Sequence, residues 1–311
     1  MKKVAILFIV LLTSSFLFAQ NTYVPDDKFE QALIDLGYDT TLDDSVLTAN
    51  ISGVTSLDVS NKEISDLTGI EAFAALTELV CSDNKLTSLD VSANTALTHL
   101  DCSYNQLTSL DMSNNTALTY LDCNSNQLTS LDVSNNTALE NLYACCNKLT
   151  SLDVSKNTAL ITLDPDQNQL TSLDVSNNTA LTRINCSGNQ LTSLDVSNNT
   201  ALRQLFFDDN KLTSLDVSSN TALTELYCAN NLLISLDVSN NTALIELKIF
   251  DNELTNLDVS KTVTLEWLLV SNNKLTSLDV TNNIHITNLG CYDNQLTSLD
   301  LSQNTKLKVL Y

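Results

Sequence analysis

The sequence predicts a single solenoid, mainly β, in which short parallel strands stack turn upon turn. The first observation is an unbroken period of 21 residues, represented by LTSLDVSNNTALTYLDCNSNQ at 107–127. The second is an apolar residue that recurs at this spacing twelve times. Its positions are Leu76, Leu97, Leu118, Leu139, Leu160, Leu181, Leu202, Leu223, Leu244, Leu265, Ile286 and Leu307. One unit of this length cannot bury its apolar face alone, so the units must stack into a continuous core.

Each period contains two halves with the same core pattern, L-x-x-L-x-[CV], and an Asn three residues later. Residues 118–127 represent the 10-residue half, and residues 128–138 represent the 11-residue half. We predict parallel strands on the 10-residue half, at a spacing of about 4.8 Å between turns. Shorter extended segments are expected on the 11-residue half. The apolar residues at 118, 121, 123, 128, 131, 133 and 138 are expected to point inward.

Two Asn columns are the third observation, and we interpret both as scaffold. The first column is Asn84, Asn105, Asn126, Asn147, Asn168, Asn189, Asn210, Asn231, Asn252, Asn273 and Asn294. The second column is Asn94, Asn115, Asn136, Asn157, Asn178, Asn199, Asn220, Asn241, Asn283 and Asn304, with Thr262 as its one exception. Where the chain bends inward, an Asn side chain can donate to and accept from the backbone of neighbouring turns.

The pattern L-x-x-L-x-[LC]-x-x-N-x-L across 54–311 resembles the leucine-rich-repeat signature. The nested 10-plus-11 layout is similar to the 21-residue bacterial class of that family. The first repeat, VTSLDVSNKEISDLTGIEAFAA at 54–75, is 22 residues long and resembles an internalin-type repeat. The segment VPDDKFEQALIDLGYDTTLDDSVLTANI resembles the N-terminal cap of secreted repeat proteins from Bacteroidetes-type bacteria. The resemblance implies a leucine-rich-repeat solenoid that binds through its strand face.

Three segments are expected along the chain. Residues 1–19 have two lysines, an apolar run and a final Ala, as in a secretory signal peptide. Residues 20–53 are expected to form an N-terminal cap with a short helix at about 26–36, whose apolar face is Phe29, Ala32, Leu33 and Leu36. Residues 54–311 form the repeat array. Because 307–311 reads as the opening strand of another turn without a cap, we expect a truncated chain.

The charge balance limits the classes of partner. The net charge is −22, and removal of residues 1–19, with two lysines and no acid, makes it −24. So acidic a surface disfavours nucleic acids and anionic membranes. After signal cleavage no remaining segment is expected to insert into a membrane. The expected location is therefore outside the cell, either secreted or on the cell surface.

Six of the eight cysteines occupy one inward column, so we predict buried free thiols rather than disulfides. They are Cys81, Cys102, Cys123, Cys186, Cys228 and Cys291. Cys145 and Cys146 depart from this pattern and are expected in exposed columns, while Pro165 replaces the inward residue of the next turn. Since proline lacks an N–H, the sheet should be disturbed there. No histidine joins the column, so we predict no zinc site.

An outward Asp column follows the 11-residue half. It contains Asp90, Asp111, Asp132, Asp153, Asp174, Asp195, Asp216, Asp237, Asp258, Asp279 and Asp300, with Asp58 before it. We interpret it as a charged surface that protects a repetitive sheet from aggregation, with Ser, Thr and backbone amides offsetting the repulsion. Calcium along the column is the alternative. However, no D-x-D-x-D-G loop is present and one column supplies few oxygens per ion, so we predict no metal site.

Function is expected where the repeats differ, which is at the exposed positions of the 10-residue half. The large side chains there define the candidate binding face, on which Trp, Tyr and Arg are the usual anchors. Its residues are Tyr120, Tyr143, Arg183, Phe206, Tyr227, Lys248, Phe250, Trp267 and Leu269.

The leading hypothesis is a binding module for an extracellular protein. A glycan-binding module that uses the aromatic residues is the alternative, and a structural spacer or adhesin stalk without a specific ligand is the third. No motif supports catalysis, because the acids recur as repeat columns and neither histidine has a recognisable nucleophile. We therefore predict a protein that is not an enzyme and needs no cofactor.

Overall fold

The computed structural model describes residues 20–311, and the predicted signal peptide lies outside the described residues. A parallel sheet of 13 strands runs through the molecule in sequence order. Its strands are β3 (Ser56–Asp58), β4 (Glu78–Val80), β5 (His99–Asp101), β6 (Tyr120–Asp122), β7 (Asn141–Tyr143), β8 (Thr162–Asp164), β9 (Arg183–Asn185), β10 (Gln204–Phe206), β11 (Glu225–Tyr227), β12 (Glu246–Lys248), β13 (Trp267–Leu269), β14 (Asn288–Gly290) and β15 (Val309–Leu310). The predicted mainly β solenoid is confirmed.

The register of the sheet follows the sequence period. Ser56 pairs with Glu78, a step of 22 residues, and Glu78 pairs with His99, a step of 21. The middle residue of each strand from β3 to β14 is buried, as Leu121 is. The two residues that flank it point outward, because side chains alternate between the two faces of a strand. Every turn therefore presents two variable side chains on the same face.

The inward cysteine column is confirmed. Among residues 20–311 its six members are free thiols, five of them buried and Cys291 partly buried. Burial raises the pKa of the Cys81 and Cys123 thiols well above the ordinary value, so these groups stay protonated and pack as small apolar side chains.

Cys145 and Cys146 do not remain separate thiols. Their sulfur atoms join in a disulfide between adjacent residues, whose Cα atoms are 3.8 Å apart. Both side chains are partly exposed, and Ala144 takes the buried position of the column. The inward position of Ala144 in the repeat predicted that both cysteines are exposed, but it did not predict the disulfide bond. Cys146 has a φ of 59°, so the bond forms in a left-handed turn that the strand pattern does not indicate.

Pro165 disturbs the sheet less than expected. In the neighbouring turns the inward residue after the strand donates to the next turn, as Ala144 N does to Asp164 O at 2.9 Å. Pro165 has no N–H to donate, and the registered pairing of β8 with β9 ends at Leu163 with Ile184. The strand itself remains in the sheet, because only one hydrogen bond of the ladder is lost.

The first Asn column both donates and accepts, as predicted. Asn126 Nδ2 donates to the carbonyl oxygens of Cys102, Cys123 and Asn124 at 3.0–3.2 Å. Its Oδ1 accepts from Leu107 N at 2.9 Å. Each such side chain therefore ties one turn to the preceding turn and closes its own bend.

The second column differs from the prediction, because it only donates. Asn136 Nδ2 donates to the carbonyls of Met112 and Asn115 at 3.0 and 2.9 Å. Its buried Oδ1 has no hydrogen-bond partner among the described residues, and the same holds for the other asparagines of this column. The prediction was wrong because no backbone N–H faces that oxygen. The lapse at Thr262 fits this finding, since a hydroxyl can also donate, here to Val259 O at 2.9 Å.

The residue before each first-column Asn adopts a left-handed conformation. Asp83, Tyr104, Ser125 and Cys146 have φ between 52° and 59°, and Gly188 has φ of 60°. Asp, Asn and Gly tolerate this region best, whereas other side chains are strained there. The repeated inward bend after every strand holds this conformation.

The 11-residue half is extended and then turns tightly. Among the described residues it forms one isolated parallel bridge, between Asp90 and Asp111. Two successive turns follow in each repeat, as in Asn115 N to Met112 O and Leu118 N to Asn115 O. The short extended segments are thus present but scarcely paired, and tight turns return the chain to the next strand.

The N-terminal segment contains an antiparallel pair, β1 (Asn21–Tyr23) with β2 (Ser45–Leu47), and the helices α1 (Asp27–Asp35) and α2 (Thr48–Ile51). A short 3-10 helix, Ile70–Ala72, lies in the first repeat. Helix α1 begins one residue later and ends one residue earlier than predicted. The Asp26 side chain caps it by accepting from Lys28 N and Phe29 N, as expected for an acidic N-cap.

The predicted apolar face of α1 is largely correct. Phe29, Ala32 and Leu33 are buried, and the Phe29 ring lies 6.4 Å from that of Phe73 in the first repeat. Leu36 was wrongly assigned to the face and is 46% exposed, because it follows the last residue of the helix. Within residues 20–311, no helix has the length and apolar character needed to cross a membrane.

Candidate binding face

The strand face consists of the outward side chains of β4–β14 and of the residues just past each strand. Its central feature is a row of aromatic rings and cations, which we call the aromatic–cation cluster. The Arg183 guanidinium lies 4.8 Å from the Phe206 ring centroid, and the Phe206 and Tyr227 rings are 4.5 Å apart. Lys248 Nζ lies 3.8 Å from the Tyr227 ring and 5.5 Å from that of Trp267. These five predicted residues therefore form one contiguous surface.

Polar neighbours fix the position of Arg183 at the N-terminal end of the aromatic–cation cluster. Arg183 Nη2 lies 3.6 Å from Asp164 Oδ2, and Arg183 Nη1 donates to Gln204 Oε1 at 3.2 Å. Gln204 Nε2 then donates to Glu225 Oε1 at 2.9 Å. This chain of contacts crosses four consecutive strands. It restricts the guanidinium to one position over the Phe206 ring.

Polar neighbours also hold the second part. Tyr227 OH donates to Glu246 Oε2, and Lys248 Nζ lies 3.0 Å from the same carboxylate oxygen. Burial raises the pKa of the Glu246 carboxyl, but the hydrogen bonds from Tyr227 and Lys248 outweigh it and lower the pKa overall. Glu246 therefore stays ionised and fixes both neighbours. Glu225, Glu246 and Gln204 were not among the predicted site residues, although the same variable columns contain them.

Exposure within the cluster is uneven. Trp267 is 37% exposed, whereas Phe206 is only 9% exposed. The expectation that Phe206 is an exposed anchor is wrong, because Arg183 and Tyr227 lie against its ring. Phe206 supports its neighbours, and Trp267 offers the largest accessible apolar area.

Phe250 and Leu269 belong to an adjacent groove, which we call the apolar groove. Its other lining residues are Ser271, Gly290, Tyr292 and Tyr311, and its volume is about 240 Å³. Phe250 lies past the end of β12, one column away from the aromatic–cation cluster. The two features are neighbours on the strand face rather than one patch.

Tyr120 and Tyr143 form a separate group near the N-terminal end. The Tyr120 ring stacks on His99, with centroids 4.1 Å apart and planes at 8°, and it lies 5.5 Å from the Tyr143 ring. Burial, together with the charge of Asp122, raises the pKa of the Tyr120 hydroxyl to about 12. His99 was not among the predicted site residues, although it occupies the equivalent strand position in the preceding turn.

Half-buried carboxylates lie beside both aromatic groups. Burial raises the pKa of Asp122 and of Asp208 to about 6 each, despite a backbone hydrogen bond to each carboxylate. Asp208 borders a polar concavity of about 390 Å³ together with Asp166, Asn185 and Ser187. The face is therefore acidic beside the aromatic–cation cluster and should favour a partner with basic groups.

The raised pKa of Asp208 predicts a pH-dependent effect of Asp208→Asn. The pKa of about 6 in the folded protein lies above the ordinary Asp value of 3.8, so ionised Asp208 destabilises the fold at high pH. After a discount for solvent screening, we expect Asp208→Asn to raise the free energy of unfolding by about 1–2 kcal/mol above pH 6. The gain should shrink between pH 6 and pH 3.8 and vanish below, as measured by denaturant unfolding.

Asp216→Asn provides a control of opposite sign. Hydrogen bonds from the Ser218 side chain and backbone N–H lower the pKa of exposed Asp216, so its ionised form is favoured by folding. Asp216→Asn should therefore reduce the free energy of unfolding at pH values above 3.8, the ordinary pKa of Asp. This loss should disappear as the pH falls through the lowered pKa of folded Asp216. A stability gain for Asp216→Asn, or a pH-independent gain for Asp208→Asn, would contradict these assignments.

The Asp column on the 11-residue half uses its carboxylates as the scaffold interpretation predicts. Asp111 Oδ1, for example, accepts from Ser113 N at 2.9 Å, and the same bond recurs along the column. Hydrogen bonds from the Ser two residues later lower the pKa of Asp111 and of Asp132. These bonds offset the mutual repulsion of neighbouring carboxylates.

Comparison with known proteins agrees with this architecture. A family model described as leucine-rich repeats in two copies matches residues 95–136. The functional domain of InlJ from Listeria monocytogenes, whose structure includes a cysteine ladder, superposes with a TM-score of 0.84 at 39% identity. That match covers 94% of this chain and 71% of the InlJ chain. The chain belongs to the leucine-rich-repeat family.

Two further comparisons also concern internalins of Listeria monocytogenes. InlF superposes on this leucine-rich-repeat protein with a TM-score of 0.85 at 21% identity, over 93% of this chain and 95% of that chain, which shows the shared fold. Internalin J from serotype 4b (strain F2365) is 42% identical over 75 residues. These residues are 24% of this chain and 8% of that protein, so the match spans a small part of its length.

Proposed function

We propose that this leucine-rich-repeat protein is a secreted or cell-surface binding module that recognises an extracellular protein through its strand face. The observation that carries the proposal is the aromatic–cation cluster. Arg183, Tyr227, Lys248 and Trp267 are large side chains held in place by cross-strand contacts. Side chains that are ordered before binding lose less entropy when a partner docks, and such residues are the usual anchors of protein interfaces.

The proposed organisation assigns residues 1–19 to a signal peptide, 20–53 to an N-terminal cap of the Bacteroidetes type, and 54–311 to the nested 21-residue array. The packing of Phe29 in α1 on Phe73 of the first repeat supports the cap. The internalin relatives support a role in binding rather than catalysis. The proposal includes no catalytic step, cofactor, nucleic-acid partner or membrane insertion of the mature chain.

Glycan binding is the second candidate, and the apolar groove favours it. Phe250, Tyr292 and Tyr311 place three rings around a volume of about 240 Å³, beside the hydroxyl group of Ser271. Apolar walls with a few polar groups are typical of small-molecule sites. The two candidates use different residues, which allows them to be separated.

Trp267→Ala and Tyr227→Ala test the leading proposal. Truncation of a central anchor typically costs about 2 kcal/mol or more, so each should weaken binding at least tenfold. The measurement is capture of surface proteins from neighbouring or host cells on immobilised protein, followed by titration of the captured protein against each variant. Melting temperatures should change little, because neither side chain belongs to the apolar core of the solenoid.

Ser214→Ala and Asp216→Ala are the matched controls on the exposed 11-residue half, and both should leave binding intact. If these controls abolish binding while Trp267→Ala and Tyr227→Ala do not, the Asp column is the active surface. Signals on a glycan array that Phe250→Ala removes and Trp267→Ala retains would favour the glycan candidate. Absence of both activities would favour a spacer.

A further inference from the structure

The N-terminal segment contains a buried glutamate that the binding face does not involve. Glu30 lies on the packed side of α1 and is 0% exposed. Its Oε1 accepts from Asp43 N and Ser45 N, each at 2.9 Å. Its Oε2 is also buried and has no hydrogen-bond partner among the described residues. A buried carboxylate oxygen without a partner is costly, and such groups normally coordinate a cation or form an ion pair.

Two further carboxylates converge on Glu30. One oxygen each from Glu30, Asp39 and Asp43 lies within 4.8 Å of the other two. Asp39 Oδ2 is likewise buried and unpartnered within residues 20–311. Three acids this close repel one another strongly when they are shielded from water. Within the described residues, the salt bridge of this segment joins Lys62 to Asp35 and does not involve these three acids.

We propose that Glu30, Asp39 and Asp43 bind one calcium ion. Calcium prefers carboxylate, carbonyl and water oxygens at about 2.3–2.6 Å, so two oxygens on one ion are at most about 5 Å apart. The observed limit of 4.8 Å is within this range. One divalent ion would be the missing partner of the unpartnered Glu30 and Asp39 oxygens, and its charge would offset the clustered negative charge. Asp43, which is exposed, leaves a side of the site open to water ligands.

The ion would join helix α1 to the loop that follows it. Glu30 belongs to α1, Asp39 and Asp43 belong to the loop that follows it, and the loop leads directly into β2. Glu30 already holds the end of this loop through Ser45 N. Calcium therefore stabilises the packing of this loop on α1. The site lies outside the strand face, so it is independent of the proposed binding function.

Titration of the chelator-treated protein with CaCl2, followed by calorimetry, tests the site. We expect one ion per chain and a rise in melting temperature as calcium is added. Glu30→Gln and Asp43→Asn should each weaken calcium binding at least tenfold and remove the thermal shift. Asp43 is exposed, so Asp43→Asn provides a test that does not depend on a core substitution. Asp27→Asn, an exposed acid on the same helix with the same change in charge, should bind calcium like the wild type.

Several outcomes would overturn the proposal. One is the absence of calcium-dependent heat and of a calcium-dependent thermal shift. Another is unchanged binding in both Glu30→Gln and Asp43→Asn. Binding of many ions per chain with no loss in these variants would assign calcium to the repeated Asp column. If titration with MgCl2 shows that magnesium ions bind more tightly than calcium ions, the assignment of the site to calcium would be contradicted.

Discussion

Leu128→Asp is expected to destabilise the solenoid by about 5 kcal/mol or more, since it loses apolar burial and places a charge in the core. Leu128 is 0% exposed and belongs to the continuous apolar core that runs through all turns. An effect of this size is a large fraction of the typical stability of a folded domain. Circular dichroism during thermal and urea unfolding measures the loss of stability. In urea titrations at 37 °C, we expect the variant to show no cooperative unfolding transition.

Thr129→Asp is the matched control, because Thr129 is the next residue and is exposed. It introduces the same side chain and the same charge into the same turn. Surface substitutions of this kind usually change stability by about 0.5 kcal/mol or less. Similar unfolding midpoints for the two variants would contradict the inward assignment of the leucines.

Asn126→Leu is expected to cost about 3–5 kcal/mol, since it leaves the buried Leu107 N–H unpaired, at about 1–3 kcal/mol, and removes three further hydrogen bonds, at about 1 kcal/mol each, to carbonyls that keep one other partner. The wild-type side chain serves three carbonyls and one N–H of two adjacent turns. Leucine is branched at Cγ like asparagine but offers neither a donor nor an acceptor. The measurement is the free energy of unfolding from urea denaturation at neutral pH.

Asn135→Leu serves as the control for this experiment. Asn135 is exposed in the following half-turn, where its side chain makes one long contact of 3.4 Å to Ser113 O. We expect a change below about 0.5 kcal/mol there. Equal losses in the free energy of unfolding for Asn126→Leu and Asn135→Leu would mean that the buried hydrogen bonds of the first Asn column do not stabilise the turns.

The difference between the two Asn columns shows where sequence reasoning was incomplete. Both columns are regular in the sequence, and both were predicted to donate and accept. The structure gives Asn126 of the first column four backbone hydrogen bonds and Asn136 of the second column two, both donated. The direction in which each carbonyl and N–H points decides this, and a list of residue types does not contain that direction.

The candidate site was predictable in location but not in detail. Variability among the repeats identified the strand face, and the 21-residue period placed Phe206 beside Tyr227 and Tyr227 beside Lys248. The partial burial of Phe206 and the roles of Glu225 and Glu246 depend on side-chain rotation. Long side chains on adjacent strands can adopt several arrangements, and only their mutual contacts select one.

The sequence by itself determined the solenoid, its register, the inward cysteines and the position of α1. Each follows from a local period or from a cap signal, so no distant contact is needed to infer it. Only the tertiary structure decided that Cys145 bonds to Cys146, that Pro165 removes a single hydrogen bond, and that Glu30 lies beside Asp39 and Asp43. The last grouping lies outside the repeats, where no period indicates which residues meet. There the path of one irregular loop over a helix sets the contacts, because its backbone must find partners for buried groups.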